Sequence, residues 1–380
     1  MRPLDGIKVI EMAGLAPSAY CGMILGDFGA DVVIVDRLSK DTPEILNVME
    51  KNPLNRGKRS IRVNAKTDKG IAIIRKMIQV SDVILEPYRP GVMEKLGLGP
   101  KEAMEINPKL IYARLTGWGQ NGPYSKRAGH DINYIALSGA LSLFRRKGER
   151  PLPPCNILGD FAGGGMLCAM GILLAVIERN RSGKGQVVDA AMVDGATNLS
   201  VFFYGLLGSH LMTLDIGTNM LDSGAPFYQV YETADGKFLT VGALEGKFYK
   251  ELLKGLDLLS SSLPSRIDMR TWPEMTARFA EIFKTKTQNE WIAIFEGKDA
   301  CVAPVLELDE VEQHPHNRER KMLINLDGVL QPIPTPRLSR TPGKAEKPGK
   351  PRGSETKEIL KKLGYSVEEI EAFYENTVVE

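Results

Sequence analysis

Through the first 120 residues, short apolar runs alternate with stretches of helical pattern. The runs are "IKVIEMA", "DVVIVD", "DVILEP" and "LIYARLTG"; among the stretches between them are "SAYCGMILGDFGA" and "GIAIIRKMIQV". Apolar residues fill successive positions of each run rather than alternate ones, as strands covered on both faces by helices require. Strand and helix patterns in this succession are βαβ units, so an α/β fold with a doubly wound parallel sheet is expected. Further on, "FAGGGMLCAMGILLAVI" (161–177) is an uncharged run followed by "ERNRSGKG". A membrane-spanning helix needs roughly 20 apolar residues. This run is shorter and enters on three glycines, so it is read as a buried helix of a soluble core, with no membrane partner. The stretch "QVVDAAMVDGATNLSVFFYGLLG" then adds a strand followed by a helix.

The texture changes at "FYQVYETADGKFLTVGAL", where two β-rich runs meet across Ala234-Asp235-Gly236-Lys237, a hairpin signal. Helical patterns follow at "GKFYKELLKGL", "WPEMTARFAEIFKT" and "QNEWIAIFEG", then the short run "CVAPVLEL". A second, smaller α+β domain is therefore expected over 226–300, between linkers at 201–225 and 301–330, with a large domain over 1–200. From 331 to 352 the chain holds six prolines and six Lys or Arg with Glu346 as the single acid, the composition of an extended segment. Two short helical patterns close the chain.

Charge narrows the function more than hydrophobicity does. Against 49 Lys and Arg stand 47 Asp and Glu, a formal +2, which is too balanced for nucleic-acid or membrane binding by bulk attraction. Basic function must then be local. "KNPLNRGKRSIR" (51–62) carries five Lys or Arg and no acid, and Arg37 and Arg89 follow predicted strands. Open α/β sheets bind ligands at the carboxyl ends of their strands, so these groups are either phosphate contacts or a solvated basic loop. The four cysteines, Cys21, Cys155, Cys168 and Cys301, lie far apart with no metal-ligand spacing, which points to a reducing compartment and no metal. The N-terminus enters a strand pattern at once, without the form of a signal peptide.

Asp36 at the end of the second strand fits the ribose-binding acid of a dinucleotide site. The first turn, "MAGLAPSAYCG", has no GxGxxG and carries Pro17, so NAD and FAD are not expected. Three titratable residues stand at element ends. Asp160, in "LGDFAGGGM", is either a helix N-cap or a chemical group. Gly163, Gly164 and Gly165 cost helix propensity and favour close approach of a ligand or another backbone. His130, in "AGHDINY", is a structural hydrogen-bonder or a base that titrates near neutrality. Glu245, in "VGALEGKFY", is favoured by the dipole of the helix it precedes, whatever else it does.

The stretches "GLAPSAYCGMILGDFGADVVIVDR", "RGKRSI", "EPYRPGVMEKLGLGP", "IYARLTGWGQNGPY", "AGHDINYIALSG", "LGDFAGGGM", "GKGQVVDAAMVDG", "GAPFYQVYETADGKFLTVGA" and "DACVAPV" together resemble the family III CoA-transferases (CaiB/BaiF), and most closely the racemases within that family. The resemblance spans nearly the whole chain. It implies a large Rossmann-like domain completed by the returning segment 331–380, a smaller domain, and two chains interlocked as a homodimer. It implies an acyl-CoA thioester as substrate, no cofactor beyond the coenzyme A of the substrate itself, and His130 and Asp160 as two bases, with Glu245 orienting His130. Coenzyme A would be held by Arg37, by Val63, Asn64, Ala65 and Lys66, by Arg89, and by Gly129, Asp131, Ile132, Asn133 and Tyr134. Asn64 stands where the racemases lead one to expect aspartate.

The implied reaction interconverts (2R)- and (2S)-2-methylacyl-CoA. One base removes the α-proton while a group on the opposite face returns one, and backbone N–H groups near Asp160 are the expected donors to the enolate oxygen. Met192, Met212 and Met220 offer a soft surface for a moving acyl chain, or simply pack. A transferase of the same family, with Asp160 attacking the thioester to form a mixed anhydride, is the alternative; a non-catalytic acyl-CoA binder is a third reading. The compartment implied is intracellular, peroxisome or mitochondrion in a eukaryote and cytoplasm otherwise, although "NTVVE" is not an SKL-type signal.

Overall fold

The computed structural model describes residues 1–42 and 51–380, which fold as two compact units. The first comprises Met1–Ser138, Cys155–Leu199 and Arg318–Glu380; the second comprises Gly139–Pro154 and Ser200–Asn317. In chain order the first unit begins β1 (Lys8–Met12), α1 (Ala16–Asp27), β2 (Asp31–Asp36), β3 (Arg59–Arg62), α2 (Asp68–Gln79), β4 (Val83–Glu86), α3 (Val92–Lys95), α4 (Pro100–Ile106), β5 (Ile111–Thr116) and α5 (Asp131–Leu137). It resumes with a π-helical segment, Ile157–Met166, that runs directly into α6 (Leu167–Ser182), then β6 (Val187–Ala191) and α7 (Met192–Leu199).

All six strands pair in parallel in the order β3-β2-β1-β4-β5-β6. This is the Rossmann-like, doubly wound order, with the chain reversing direction across the sheet between β1 and β4. Alternate residues of each strand enter different cores. Ile10, Met12, Val33 and Ile84 pack with Ile73, Ile74, Met77 and Ile78 of α2, whose apolar residues fall on one stripe. Val9, Val32, Val83 and Ile111 pack on the other face with Leu25 of α1 and Ile172 of α6. Helix starts follow local chemistry: Thr67 Oγ1 accepts the Gly70 N–H at 3.1 Å to cap α2.

The run 161–177 lies within Ile157–Ser182, the one stretch among the described residues long and apolar enough to cross a membrane by length and composition. Cys168, Ala169, Ile172 and Ala175 face the core. Met166, Met170, Leu174 and Ile177 form an exposed row on the other side. Cys21 of α1 and Cys168, far apart in sequence, meet in this core as free thiols, and their contact together with burial pushes the Cys21 thiol up.

The basic stretch 51–62 is neither a solvated loop nor a free phosphate clamp. It supplies the edge strand β3, and its charges are used internally. Lys58 Nζ donates to Glu11 Oε2 at 2.7 Å with both side chains buried, and Arg56 grips Asp27 through two N–H groups at 3.0 and 2.6 Å. Arg59 pairs with Asp31, and Arg62 with Glu380.

The second unit contains α8 (Val201–Gly208), β7 (Tyr228–Glu232), β8 (Phe238–Gly242), α9 (Gly246–Gly255), α10 (Trp272–Phe283), α11 (Gln288–Phe295) and β9 (Val302–Pro304). Strands β7 and β8 form the hairpin and β9 adds antiparallel to β8. Phe227, Phe279, Phe283 and Trp291 fill a separate aromatic core. After α12 (Pro315–Glu319), the hairpin β10 (Leu323–Leu326) and β11 (Val329–Pro332) leads to α13 (Thr356–Lys362) and α14 (Val367–Glu375). From Arg318 onward this last stretch is part of the first unit: Arg56 donates to Gln331 Oε1 and the Pro332 carbonyl, the Ser60 N–H donates to Glu355, and Val63 bridges Val379.

Burial pushes the Glu11 carboxyl up and the Lys58 charge offsets part of that cost. Replacing Lys58 by Met leaves a buried carboxylate without its cation, a change worth about 3–5 kcal/mol. Denaturant unfolding of Lys58→Met is expected to show a loss of that size, and an unchanged midpoint would show that the pair carries no such weight.

Candidate active site

Helix α1 leaves β1 on one face of the sheet and α4 follows β4 on the other, so the chain parts above these two strands. The crevice holds a cavity of about 410 Å³ lined by Ala13 and Gly14 after β1, Arg37 after β2, Tyr88 and Arg89 after β4, and Trp118 after β5. His130 and Asp160 both line it, with Gly129, Tyr134, Arg127 and Met192. Both also line a neighbouring cavity of about 390 Å³, so the pair is open to two spaces.

His130 occupies the residue before α5, in extended conformation, and its own N–H donates to Asn133 Oδ1 at 3.1 Å. The backbone thus serves the helix start, while the imidazole belongs to a residue that is exposed and lines the cavity. Asp160 is not an N-cap. It lies inside the π-helical segment, where its Oδ2 accepts from Asn156 Nδ2 at 3.0 Å. Insertions of π-helix accompany functional sites because they turn side chains out of the regular helical row. Burial pushes the Asp160 carboxyl up, the Asp131 charge adds to this, and the Asn156 hydrogen bond and His130 oppose it.

The three glycines after Asp160 serve helix packing. A Cβ on Gly163 would lie 2.8 Å from the Ala196 nitrogen of α7, one on Gly164 2.9 Å from the Gly159 carbonyl oxygen, and one on Gly165 2.6 Å from the Pro17 carbonyl oxygen of α1. Two of the backbone N–H groups near Asp160 are engaged elsewhere: those of Gly159 and Asp160 both donate to Asp131 Oδ2, at 2.6 and 2.7 Å.

A third cavity, of about 240 Å³, is lined by Arg37, Tyr88 and the run Val63, Asn64, Ala65 and Lys66. The Arg37 guanidinium lies 5.6 Å from the centre of the Tyr88 ring, and Lys66 pairs with Asp41 at 3.1 Å. The Asn64 N–H donates to the Val378 carbonyl, and its side chain turns inward on the chain, donating to Thr377 O and accepting from the Lys66 N–H. Asp36, the one hint of a ribose site, is buried and accepts from Ser60 Oγ at 2.7 Å.

Of the residues expected at the site, Arg37, Arg89, Gly129, His130, Tyr134 and Asp160 share the first cavity, and Val63–Lys66 lie in the adjoining one. Asp131, Ile132 and Asn133 line none of the three cavities: Asp131 is buried, and Ile132 and Asn133 are exposed on α5. Glu245 belongs to the second unit, exposed at the junction of β8 and α9. Met212 and Met220 also lie there, the first buried and the second exposed. Tyr88, Trp118 and Arg127 were not singled out from sequence, although Tyr88 and Trp118 directly follow strands and the rule that selected Arg89 would have found them. Tyr134 packs edge-on to Trp118, 4.7 Å between centroids, and its hydroxyl, donating to the Gly129 carbonyl, is pushed up to about 12 by burial and the Asp160 charge. Beneath the crevice, burial pushes Glu86 up to about 7 against the pull of Arg114, which bonds it at 2.8 Å.

A Rossmann-like sheet without the dinucleotide fingerprint, with an imidazole and a carboxylate facing one cavity at the switch point, matches a particular group of proteins. The chain belongs to CoA-transferase family III, whose pattern it matches over residues 4–356. It is an enzyme of this family. Alpha-methylacyl-CoA racemase of Mus musculus is 51% identical to it over 380 residues, 99% of this chain and 97% of the relative. The Homo sapiens protein of the same name is 48% identical over 379 residues, with the same two coverages of 99% and 97%. Among solved structures, a CAIB/BAIF family protein from Brucella suis superposes with a TM-score of 0.82 at 25% identity, covering 95% of this chain and 99% of that one.

Gly163→Ala tests the packing role of the glycines. The added methyl meets the α7 backbone, so overpacking is expected to lower stability by about 1–3 kcal/mol in thermal denaturation. An unchanged midpoint with weakened acyl-CoA binding would return the glycines to the ligand.

Proposed function

We propose that the protein is an α-methylacyl-CoA racemase, interconverting the two hands of 2-methylacyl-CoA thioesters by removal and return of the α-proton. The observation that carries this reading is that His130 and Asp160 line one cavity above the carboxyl edge of the sheet. A thioester lying between them presents its α-carbon to a base on each side. One group takes the proton as the other donates, and the roles exchange with the hand of the substrate. The reaction then needs His130 protonated when Asp160 is ionised, and the reverse.

Partial burial suits Asp160 to this work: the direction of its shift makes it a stronger base than an ordinary carboxylate. Arg37 and Arg89 hold the phosphates of coenzyme A through charge-assisted hydrogen bonds, and Val63–Lys66 line the nucleotide end. In this reading Glu245 serves to orient the His130 imidazole. Coenzyme A enters as part of the substrate. The enzyme works as a homodimer, and the exposed apolar row Met166, Met170, Leu174 and Ile177 supports a covering partner, since contiguous apolar surface of this kind marks interfaces.

Single-base variants test the mechanism in deuterated buffer. His130→Ala is expected to keep α-deuterium exchange for the hand served by Asp160, Asp160→Ala for the opposite hand, and both to lose interconversion by about 100-fold or more. No exchange or interconversion in the parent enzyme, with CoA transfer that survives in His130→Ala and acyl groups trapped by hydroxylamine at Asp160, would contradict it in favour of CoA transfer. In the parent enzyme, exchange that depends on ionised Asp160 is expected to rise with pH through a midpoint above the ordinary 3.8; a midpoint at or below that value would contradict the raised affinity for the proton. Leu174→Glu is expected to yield monomers in sedimentation, and a persistent dimer would remove this row from the interface.

A further inference from the structure

Asp131 follows His130 directly and was expected to touch coenzyme A, yet it lines none of the three cavities. Its side chain is buried, with the residue only 4% exposed. Oδ2 accepts two backbone N–H groups, from Gly159 at 2.6 Å and from Asp160 at 2.7 Å, 28 and 29 residues further along the chain. Gly159 is tailored to this contact, because a Cβ there would lie 2.5 Å from Oδ2. Oδ1 is buried with no hydrogen-bond partner among the described residues. One carboxylate therefore ties the segment carrying Asp160 to the residue next to His130.

We propose that Asp131 is a positioning residue, which fixes the Asp160 backbone relative to His130 and so sets the distance and aim of the two bases, without touching coenzyme A. The inference rests on the racemase reading above. Regular helix alone would not hold Asp160 so, because the π-helical segment lacks the usual i to i−4 ladder. Asp131 supplies anchoring from outside the helix, on a residue whose backbone is itself fixed by α5. Its charge also acts through space on Asp160, in the same direction as burial.

Other charges near Asp160 do not duplicate this role. His130 and Tyr134 belong with Asp131 to the α5 region, and Asn156 bonds the carboxylate itself. Across the cavities stand Arg37, Arg89 and Arg127 on one side and Glu11, Asp36 and Arg352 on the other. Helix α1 presents Tyr20, stacked edge-on with Phe161, and α7 presents Met192. None of the hydrogen bonds to the Gly159 and Asp160 N–H groups comes from these residues.

The test is Asp131→Asn in the full-length protein, which keeps an acceptor oxygen and removes the charge. Exchange kinetics with a single-handed 2-methylacyl-CoA are expected to show kcat lower by about 10- to 100-fold, the scale of a small misplacement of a reacting group, with KM changed less than about twofold. The titration midpoint of the Asp160 carboxyl, followed by ¹³C NMR, is expected to move to lower pH. A raised KM with unchanged kcat and unchanged titration would make Asp131 a coenzyme A contact and overturn the proposal. Should Asp131→Asn fail to fold, Gly159→Ala displaces the same carboxylate and is expected to lower kcat likewise; unchanged kcat there would overturn it. Parent enzyme that shows no exchange would count against the racemase reading alone, because the shift of the Asp160 titration needs no turnover and still decides on Asp131.

Discussion

Between β1 and β4 the chain must leave the sheet in opposite directions, and this parting is what the site depends on. Right-handed crossovers carry α1 to one face and α4 to the other, so no backbone covers the ends of the two central strands. Ala13, Arg37, Arg89 and Trp118 come from four different strand ends and meet there because the sheet is parallel. His130 and Asp160 reach the same space from the long excursion between β5 and β6. The sheet supplies the floor of the crevice, and the excursion supplies the chemistry.

Buried charge recurs through the first unit, and in each case a partner meets it. Lys58 answers Glu11 behind α1, Arg56 answers Asp27 and reaches the returning chain at Gln331, and Arg114 answers Glu86 below the crevice. Such pairs contribute little net stability once desolvation is counted, but they are costly to break and so fix which segments meet. The segment Val63–Lys66 shows the result: its backbone is bonded to Val378 and bridged to Val379, so residues 378 and 379 hold one wall of the cavity of about 240 Å³. Asp131 belongs to the same pattern, with backbone N–H groups in place of a cation.

The sheet was readable because its strands are apolar at consecutive positions, and the second core because a hairpin and three amphipathic helices follow one another without interruption. Strand β3 was not, since "RSIR" has a single apolar residue and its arginines mimic a solvated loop; only the partners Asp31 and Glu380, far off in sequence, reveal the edge strand. His130 and Asp160 were identifiable as titratable groups at element ends. Local pattern left Asp160 open between a cap and a chemical group, because a π-helical segment has no simple sequence signature, and left the glycines open between a ligand and another backbone, because the neighbours Ala196 and Pro17 are remote in the chain. That two of the backbone N–H groups near Asp160 are occupied was hidden for the same reason: their acceptor, Asp131, comes from a different element.

A racemase moves the α-proton and leaves the acyl group joined to coenzyme A, whereas a transferase parts the two. The most direct measurement incubates the purified enzyme with one hand of a 2-methylacyl-CoA in deuterated water, with no acceptor present, and follows deuterium at the α-carbon together with optical purity. Racemisation is expected to give deuterium incorporation accompanied by formation of the opposite hand until both are equal. Unchanged chirality and no incorporation, in protein that passes coenzyme A to a free carboxylic acid, would contradict it.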